Sequence, residues 1–187
     1  MLIVHIPTGL LVGVRQVLSP HFDARPDGVA ADLVVMHGIS LPPGEYDGPW
    51  IDMLFTGSLP PQKHPYFATI EGMRVSAHVL VRRDGEIVQY VPFHERAWHA
   101  GQSRYEGRDA CNDFSIGIEL EGSDDEPYAP PQYAQAAAVI RALIAAYPRL
   151  DLQRVVGHSD IAPGRKTDPG AGFDWTHLRA QLQVTRS

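Results

Sequence analysis

The chain has 187 residues, of which 44% are hydrophobic and 20% are charged. These values are typical of a soluble globular protein, and the length suits one domain with a sizeable core. The formal net charge of -6 argues against a nucleic-acid-binding surface, because such a surface needs a basic patch. No apolar stretch approaches the roughly 18 residues of a membrane span. We therefore expect a single domain over residues 1–187, with neither nucleic acid nor membrane as a partner.

The N-terminus and the single cysteine both bear on the cellular compartment. The first fourteen residues contain no Lys or Arg, and Pro7 and Gly9 interrupt their apolar run, so a signal peptide is not expected. Cys111 cannot form an internal disulfide, which fits a reducing compartment. We interpret it as a small buried hydrophobic residue, with a reactive thiol as the alternative. The predicted location is the cytoplasm.

The first half of the chain contains one clear strand and one long segment with no regular pattern. Residues 1–31 mix short apolar pieces with turn residues, and we expect them to wrap the domain. The apolar run from Leu33 to His37 predicts a short strand. Residues 41–66 are rich in proline, glycine and aromatic residues, which is typical of a long functional loop. This loop is expected to line or cover a site near His37 and to move there; an inert surface excursion is the alternative.

The middle of the chain predicts a hairpin followed by an alternating strand. Residues 77–81 and 86–91 are rich in β-forming residues, and Asp84-Gly85 between them is a strong turn signal. In residues 115–120 three apolar side chains alternate with Ser115, Gly117 and Glu119. One face of this strand should therefore be buried, and Glu119 should project from the other face beside open space at Gly117.

The last third predicts two helices and one more strand. Residues 131–147 place apolar side chains at helical spacing, and Pro148 follows the end of this predicted helix. Residues 154–156 predict a short strand that ends just before His158. Asp174 is expected to cap a final short helix. Because strands and helices interleave and one connection is a hairpin, the predicted fold is α/β, with a central mixed sheet flanked by helices.

Three residues could bind a catalytic metal. His158 and Asp168 lie in one segment punctuated by proline and glycine, and a third ligand is best supplied by His37 at the end of its apolar strand. Two imidazoles and one carboxylate suit Zn²⁺, with water in the open fourth position. Any one of the nine histidines taken alone is more often a structural residue. His78 and His99 are the competing candidates for the site.

Two further residues suit the chemistry of a zinc hydrolase. Glu119 is the candidate general base, which takes a proton from the attacking water and passes it to the leaving amine. Its alternative role is a salt bridge on a solvated sheet face. Lys166 lies two residues before Asp168 and could stabilise an oxyanion in the same cavity. Its alternative role is that of an ordinary surface lysine.

Long motifs along nearly the whole chain resemble one known family. The chain is similar to the cytosolic anhydro-N-acetylmuramoyl-L-alanine amidases of cell-wall recycling (the AmpD type), which belong to the zinc amidase family related to peptidoglycan-recognition proteins. The resemblance implies the fold described above and hydrolysis of the amide between anhydro-N-acetylmuramic acid and L-alanine of a muropeptide. The matching segments are residues 39–45, 48–52, 54–57, 74–78, 83–93, 97–101, 111–122, 157–158, 160–163 and 165–170.

The resemblance also implies a role for individual residues. It places zinc on His37, His158 and Asp168 and catalysis on Glu119 and Lys166. It implies further that Trp98 lies under the sugar and that Arg74 meets a peptide carboxylate. Arg108 is a second guanidinium suited to an acidic peptide. We expect the protein to act as a monomer on this small-molecule substrate.

The chain departs from the family pattern at three positions. Gly38 stands where Asn is expected, Ala110 where some relatives carry Arg, and Ser159 where a Cys follows the second ligand. None of these changes removes a predicted catalytic group. Two alternatives remain at this point: a secreted or phage-like amidase that cuts intact peptidoglycan, and a recognition protein that binds muropeptides without cutting them.

Overall fold

The computed structural model describes residues 1–183, over which the chain forms twelve strands and five α-helices. No helix in this range is long and apolar enough to cross a bilayer. The strands are β1 (Val4–His5), β2 (Leu10–Leu11), β3 (Arg15–Gln16), β4 (Phe22–Ala24), β5 (Leu33–Ile39), β6 (Val79–Val81), β7 (Ile87–Gln89), β8 (Glu95–Ala97), β9 (Arg104–Tyr105), β10 (Arg108–Asp109), β11 (Ser115–Glu121) and β12 (Val155–Gly157). The helices are α1 (Trp50–Phe55), α2 (Pro65–Thr69), α3 (Pro130–Ala146), α4 (His158–Ile161) and α5 (Trp175–Gln183), with 3₁₀ turns at Pro61–Lys63, Cys111–Asp113 and Leu152–Arg154.

Six strands form the central sheet in the order β12-β5-β11-β6-β7-β3. β5 pairs in parallel with both β12 and β11, and β11 also pairs in parallel with β6. β6 and β7 form an antiparallel hairpin, so the sheet is mixed. Because β12, β5 and β11 run in the same direction, their C-terminal ends meet at one edge of the sheet, which is where α/β proteins commonly build their sites.

Helices cover both faces of this sheet, and the two faces differ in character. On the first face, apolar side chains of β5, β6 and β11 pack against α3 and α5 in the largest core cluster. On the second face, Leu80 and Val88 pack against α1 and α2, while Leu33 and Val35 pack against Phe114 and the 3₁₀ turn before it. The polar side chains of β11 lie on this second face.

The predicted mixed sheet between helices is confirmed. The predicted hairpin is β6–β7, and the predicted helix over residues 131–147 is α3, which begins one residue earlier with two prolines in its first turn. Proline is tolerated there because the first amide groups of a helix have no intrahelical acceptor. Asp174 caps α5, since its Oδ1 accepts the His177 amide at 2.9 Å.

The prediction that residues 41–66 are irregular throughout is wrong. This segment contains α1, a 3₁₀ turn and the start of α2. Its prolines suggested a loop, but Pro49, Pro61 and Pro65 stand at the starts of these helical pieces, where proline is favoured. Three apolar residues of α1 face the sheet and are buried: Ile51, Leu54 and Phe55.

The beginning of this segment is anchored to the end of β11. Buried Glu121 accepts hydrogen bonds from the Asp47 amide at 3.0 Å and from Arg82 at 3.2 Å. Arg82 in turn donates to Asp52 of α1 at 3.2 Å. These contacts place the segment near the sheet edge where β11 ends. That it covers the site stays a prediction.

Candidate metal centre and active site

The three predicted metal ligands converge on one point. His37 Nδ1 lies 3.0 Å from His158 Nδ1, and Asp168 Oδ2 lies 3.1 Å from each of these nitrogens. Both histidines are buried, and Asp168 is partly buried. Although His37 is distant in sequence from the other two, the three side chains present one ligand atom each to the same small volume.

These three atoms fit a tetrahedral metal ion better than they fit an ion pair. Burial lowers the pKa of His37 to about 4, so the ring is neutral near pH 7 and its contact with Asp168 is not a salt bridge. Metal binding requires a lone pair on each of these atoms, and three lone pairs this close repel one another unless a cation lies between them. Ligand atoms about 2.0–2.1 Å from zinc at tetrahedral angles lie about 3.3 Å apart, which is close to the spacing seen here.

Strand order explains why the ligands meet. His37 lies near the C-terminal end of β5, and His158 directly follows β12, which is the neighbour of β5. Asp168 follows α4 in a turn that returns to the same edge, where the Ser159 amide donates to the Asp168 carbonyl at 3.0 Å. Although burial acts to raise the pKa of Asp168, its contacts with His158 and His37 hold that pKa well below its usual range, so the side chain is a carboxylate.

Each ligand imidazole has a partner for the nitrogen that faces away from the metal position. His158 Nε2 lies 3.1 Å from the Ala100 carbonyl oxygen, which also accepts a hydrogen bond from Arg165 at 2.6 Å. His37 Nε2 lies 2.9 Å from His99 Nδ1. Such outer partners set the orientation and the tautomer of metal-binding imidazoles.

Glu119 stands beside the ligands on the neighbouring strand. It is paired in register with His37 across β11 and β5, whose backbones lie about 4.8 Å apart, as in any sheet. Glu119 is 8% exposed, and its Oε2 is buried with no hydrogen-bond partner among the described residues. Burial and the negative charge of Asp168 raise the pKa of Glu119 well above its ordinary value, while the charge of Lys166 acts to lower it.

The alternative role of Glu119 and one expectation about its surroundings are both wrong. All seven residues of β11 are buried, so the polar face of this strand is not solvated, and Glu119 is not part of a surface salt bridge. The space beside Gly117 is also not open. A Cβ atom at Gly117 would lie 2.5 Å from Cγ of His99, because the imidazole ring of His99 fills that space.

Lys166 is exposed and lies in the turn between α4 and Asp168. Its backbone amide donates to the Ala162 carbonyl at 3.0 Å, which fixes where the side chain leaves the backbone. The charge of Lys166 acts on the pKa of both His37 and Glu119. A role at the site stays a prediction for this residue.

Trp98 and Arg74 are two predicted substrate contacts, and both lie near His21 at the surface. The rings of Trp98 and His21 stack with centroids 6.0 Å apart, and Trp98 Nε1 donates to Asp23 at 3.0 Å. His21 and exposed Arg74 line a surface cavity of about 260 Å³. No metal ligand lines this cavity, but Trp98 directly precedes His99, which contacts His37.

Arg108 is engaged within the protein. Its two terminal nitrogens pair with both carboxylate oxygens of Asp32 at 2.8 and 2.9 Å, and its guanidinium stacks 3.8 Å over the Phe114 ring. This geometry gives Arg108 a structural role. Its predicted role in peptide binding stays a prediction.

The two competing histidines are not among the three converging ligands. His78 Nδ1 accepts the Gly117 amide at 3.0 Å, and its Nε2 lies 3.1 Å from the Glu95 carbonyl, so both nitrogens have backbone partners. His99 contacts a ligand instead of the metal position. No periodic pattern in the sequence marks that contact, because His99 lies in an irregular stretch.

Half-buried Arg25 is another residue that sequence analysis did not single out. Its guanidinium donates to four backbone carbonyls at 2.9–3.2 Å, those of Phe93, Asn112, Asp113 and Ser115. This cation ties β11 and the preceding 3₁₀ turn to the segment before β8. It lies next to prolines and charged residues in the sequence, a pattern that suggests exposure.

Comparison with known proteins agrees with this arrangement. The Amidase_2 family model, described as N-acetylmuramoyl-L-alanine amidase, matches residues 27–171, a range that includes every predicted site residue. The chain belongs to the N-acetylmuramoyl-L-alanine amidase family. The resemblance found in the sequence is thereby confirmed, and so is the prediction that the protein is an amidase.

Individual relatives of this amidase are similar over most of their length. The 1,6-anhydro-N-acetylmuramyl-L-alanine amidase AmpD of Escherichia coli K12 is 64% identical over 171 residues, which cover 91% of this chain and 93% of the relative. A crystal structure of a selenomethionine AmpD derivative has a TM-score of 0.91 and 60% identity, covering 94% of this chain and 97% of its own.

A more distant structure contains a bound substrate. It is the complex of the E. coli amidase AmiD with anhydro-N-acetylmuramic acid-L-Ala-D-γ-Glu-L-Lys, with a TM-score of 0.59 and 32% identity. The match covers 84% of this amidase and 60% of that chain. The same fold therefore binds an anhydromuramyl peptide in that relative.

Proposed function

We propose that this amidase hydrolyses the amide bond between 1,6-anhydro-N-acetylmuramic acid and L-alanine of muropeptides, with Zn²⁺ held by His37, His158 and Asp168. The observation that carries the proposal is the convergence of three ligand atoms at 3.0–3.1 Å beside the unpartnered Oε2 of Glu119. The substrate is that named for the E. coli relative, which is 64% identical.

Zinc, when bound at such a site, polarises a carbonyl group and makes water acidic enough to attack near neutral pH. Glu119 would take the proton from the attacking water and deliver it to the departing amine of L-alanine. Burial and the charge of Asp168 raise its pKa, which makes its carboxylate a stronger base toward that proton. Lys166 would place its ammonium against the oxyanion that develops on the amide oxygen.

Substrate binding is assigned to the surface around His21. The half-buried ring of Trp98 offers an apolar face to the sugar, and the exposed guanidinium of Arg74 can pair with a peptide carboxylate. Both terminal nitrogens of Arg108 already pair with Asp32, so Arg108 would bind a peptide carboxylate only with N–H groups that this pair does not use. We assign the protein, as a single domain, to cell-wall recycling in the cytoplasm. We also expect it to be a monomer, and light scattering of the purified protein would test this oligomeric state.

The test is hydrolysis of a defined substrate by the purified protein. The protein is incubated with anhydromuramyl-tripeptide and, separately, with intact peptidoglycan, each with chelator, without chelator and with zinc restored. Mass spectrometry should detect free tripeptide from the small substrate, lost with chelator and recovered with zinc. Cleavage of intact peptidoglycan alone would favour a phage-like amidase.

The matched control for this experiment is Asp168→Ala, which removes one ligand from the site. It should lose both zinc and activity while it keeps its fold. Full zinc occupancy in Asp168→Ala and in His37→Ala would contradict the ligand set. Binding of the muropeptide without cleavage by the zinc-loaded protein would favour a recognition protein instead.

A further inference from the structure

A continuous series of buried hydrogen bonds extends from the metal ligand His37 into the protein. His37 Nε2 lies 2.9 Å from His99 Nδ1, and His99 Nε2 lies 3.2 Å from Ser115 Oγ. Ser115 Oγ lies 2.5 Å from the backbone carbonyl oxygen of Cys111. The side chains of all three residues are buried.

The far end of this series determines the direction of every bond in it. A carbonyl oxygen can only accept, so the Ser115 hydroxyl donates its hydrogen to Cys111. Ser115 Oγ then accepts from the Nε2–H of His99. The side-chain hydrogen-bond partners of the buried His99 ring are His37 and Ser115, neither of which is acidic, so the ring is neutral and, with its hydrogen on Nε2, carries a lone pair on Nδ1. This lone pair can only accept the Nε2–H of His37.

We propose that His99 is a positioning residue that holds His37 in the tautomer with hydrogen on Nε2, so that the lone pair on Nδ1 faces the zinc position. The inference rests on the proposed zinc site. A lone neutral imidazole can carry its hydrogen on either nitrogen. At this site the competing tautomer would direct Nδ1–H at Asp168 and would obstruct metal binding.

The two histidine ligands differ in how their outer nitrogens are satisfied. His158 Nε2 meets a backbone carbonyl directly, at 3.1 Å from Ala100. His37 reaches a carbonyl only through two intervening side chains. The tautomer of His37 therefore depends on side-chain identity, and substitution can change it without a change in the backbone.

The polar face of β11 is shaped to hold this arrangement. Ser115, Gly117 and Glu119 alternate on this face of the strand. Ser115 binds the His99 ring, and Gly117 provides the space for it, since a Cβ there would lie 2.5–2.8 Å from three atoms of the ring. Glu119 then stands next to His37. One face of one strand thus holds both the support for a ligand and the proposed base.

The experiment measures zinc affinity and the His37 tautomer in variants along the series. His99→Leu removes both ring nitrogens and should raise the zinc Kd about 10–100-fold, the usual cost of losing an outer partner of a metal ligand. Ser115→Ala should raise the zinc Kd by a factor near the lower end of that range. His99→Asn places an amide oxygen near the Nδ1 position and should bind zinc more tightly than His99→Leu.

The tautomer is read from ¹⁵N NMR of the imidazole groups in zinc-free protein. His37 should carry its hydrogen on Nε2 in the wild type and should shift toward the Nδ1–H form in Ser115→Ala. A residue with a purely structural role would lower thermal stability without moving this signal. If His99→Leu does not fold, Ser115→Ala and His99→Asn carry the test.

Ser19→Ala is the matched control. The buried Ser19 hydroxyl also donates to a carbonyl, that of Phe55 at 2.5 Å, but lies outside the series. Its loss should leave zinc Kd and the His37 tautomer unchanged. Zinc affinity within twofold of wild type in His99→Leu and Ser115→Ala, or an Nδ1–H tautomer in the wild type, would overturn the proposal. Wild-type protein that binds no zinc would overturn the proposed function, while the tautomer measurement would still decide this inference.

Discussion

Glu119 is a buried carboxylate whose neighbours act on its pKa in opposite directions. Burial and Asp168 raise that pKa, and Lys166 lowers it. Oε2 has no partner among the described residues, so it is free to accept a proton from a water or to contact a substrate. This combination of burial, opposed charges and an unsatisfied oxygen is typical of a catalytic base.

Glu119→Gln should lower kcat by about 100- to 10,000-fold, the range that loss of a general base costs. The amide has nearly the same volume as the carboxylate, so zinc content and melting temperature should stay close to wild type. Steady-state kinetics on anhydromuramyl-tripeptide, with metal analysis of the same samples, gives the answer. Near-normal turnover in the variant would remove Glu119 from the role of base.

Lys166→Ala should lower kcat by about 100- to 1,000-fold, as expected for one lost oxyanion donor. Zinc should remain, because the ligand set is intact. Lys63→Ala is the matched control, since Lys63 is an exposed lysine in the 3₁₀ turn between α1 and α2 and should not affect kcat. Equal kinetics for the two variants would mean that Lys166 is an ordinary surface residue.

Replacement of Arg74 and replacement of Arg108 by alanine should affect different properties of the protein. Arg74 is exposed and lines a cavity, so Arg74→Ala should raise KM for peptide-bearing substrates with little change in kcat. Arg108 is paired with Asp32, so Arg108→Ala should mainly lower the melting temperature. Kinetics and thermal denaturation of both variants test this contrast. A rise in KM for Arg108→Ala at unchanged stability would support its predicted role in peptide binding and contradict this contrast.

At the scale of elements, β11 is the strand that connects the core to the site. Its apolar residues Ile116, Ile118 and Leu120 pack into the cluster beneath α3, and its other face carries Ser115, Gly117 and Glu119 toward His37 and His99. Because the side chains of a strand alternate, one strand can do both. On that face Gly117 lies between Ser115 and Glu119, and its lack of a side chain leaves room for the His99 ring.

Gly117→Ala should displace the His99 ring and weaken zinc binding. The new methyl group would lie 2.5 Å from His99 Cγ, and real Cβ atoms do not approach that closely. The free energy of unfolding should fall by about 1–3 kcal/mol, as for other overpacked cores. Urea denaturation and zinc titration measure the two effects. Gly13→Ala is a control with open space around the added methyl group, although its positive φ adds backbone strain.

Local patterns explain which elements could be predicted from the sequence. The α3 helix, the β6–β7 hairpin and the alternation in β11 each follow from residues close together in the chain. The α1 helix was missed because it is only six residues long and is flanked by proline and glycine. The convergence of His37, His158 and Asp168 could be predicted because strand ends and family motifs mark these three residues. The contacts of His99 and the pair of Arg108 with Asp32 depend on tertiary packing and leave no periodic signal.

At the scale of the whole molecule, three buried histidines link stability to pH. Burial lowers the pKa of His37 to about 4 and of His78 to about 3, the latter helped by the charge of Arg25, and His99 is lowered well below 6.5. Each binds a proton more readily in the unfolded chain, so each contributes stability that is lost as pH falls below about 6.5. Glu119 has the opposite sign, because its raised pKa favours proton binding in the folded state.

Because three such groups outnumber one, the zinc-free protein should be less stable at about pH 5 than at pH 7. Urea denaturation at the two pH values measures the difference in the free energy of unfolding. His78→Gln, which keeps an acceptor for the Gly117 amide, should reduce this pH dependence. Equal or greater stability at pH 5 would show that Glu119 or other groups dominate the linkage.

The position of β12 at the edge of the sheet has a consequence for biosynthesis. His158 follows this strand, and it lies 121 residues after His37 in the sequence. During translation, β5, β6, β7 and β11 leave the ribosome first and can begin to pair, yet they bring only one of the three ligands. The proposed zinc site is therefore incomplete until Asp168 has emerged. Metal capture by the proposed ligand set would thus occur at the end of synthesis, and a chain that stops before Asp168 would stay inactive even if most of its sheet had formed.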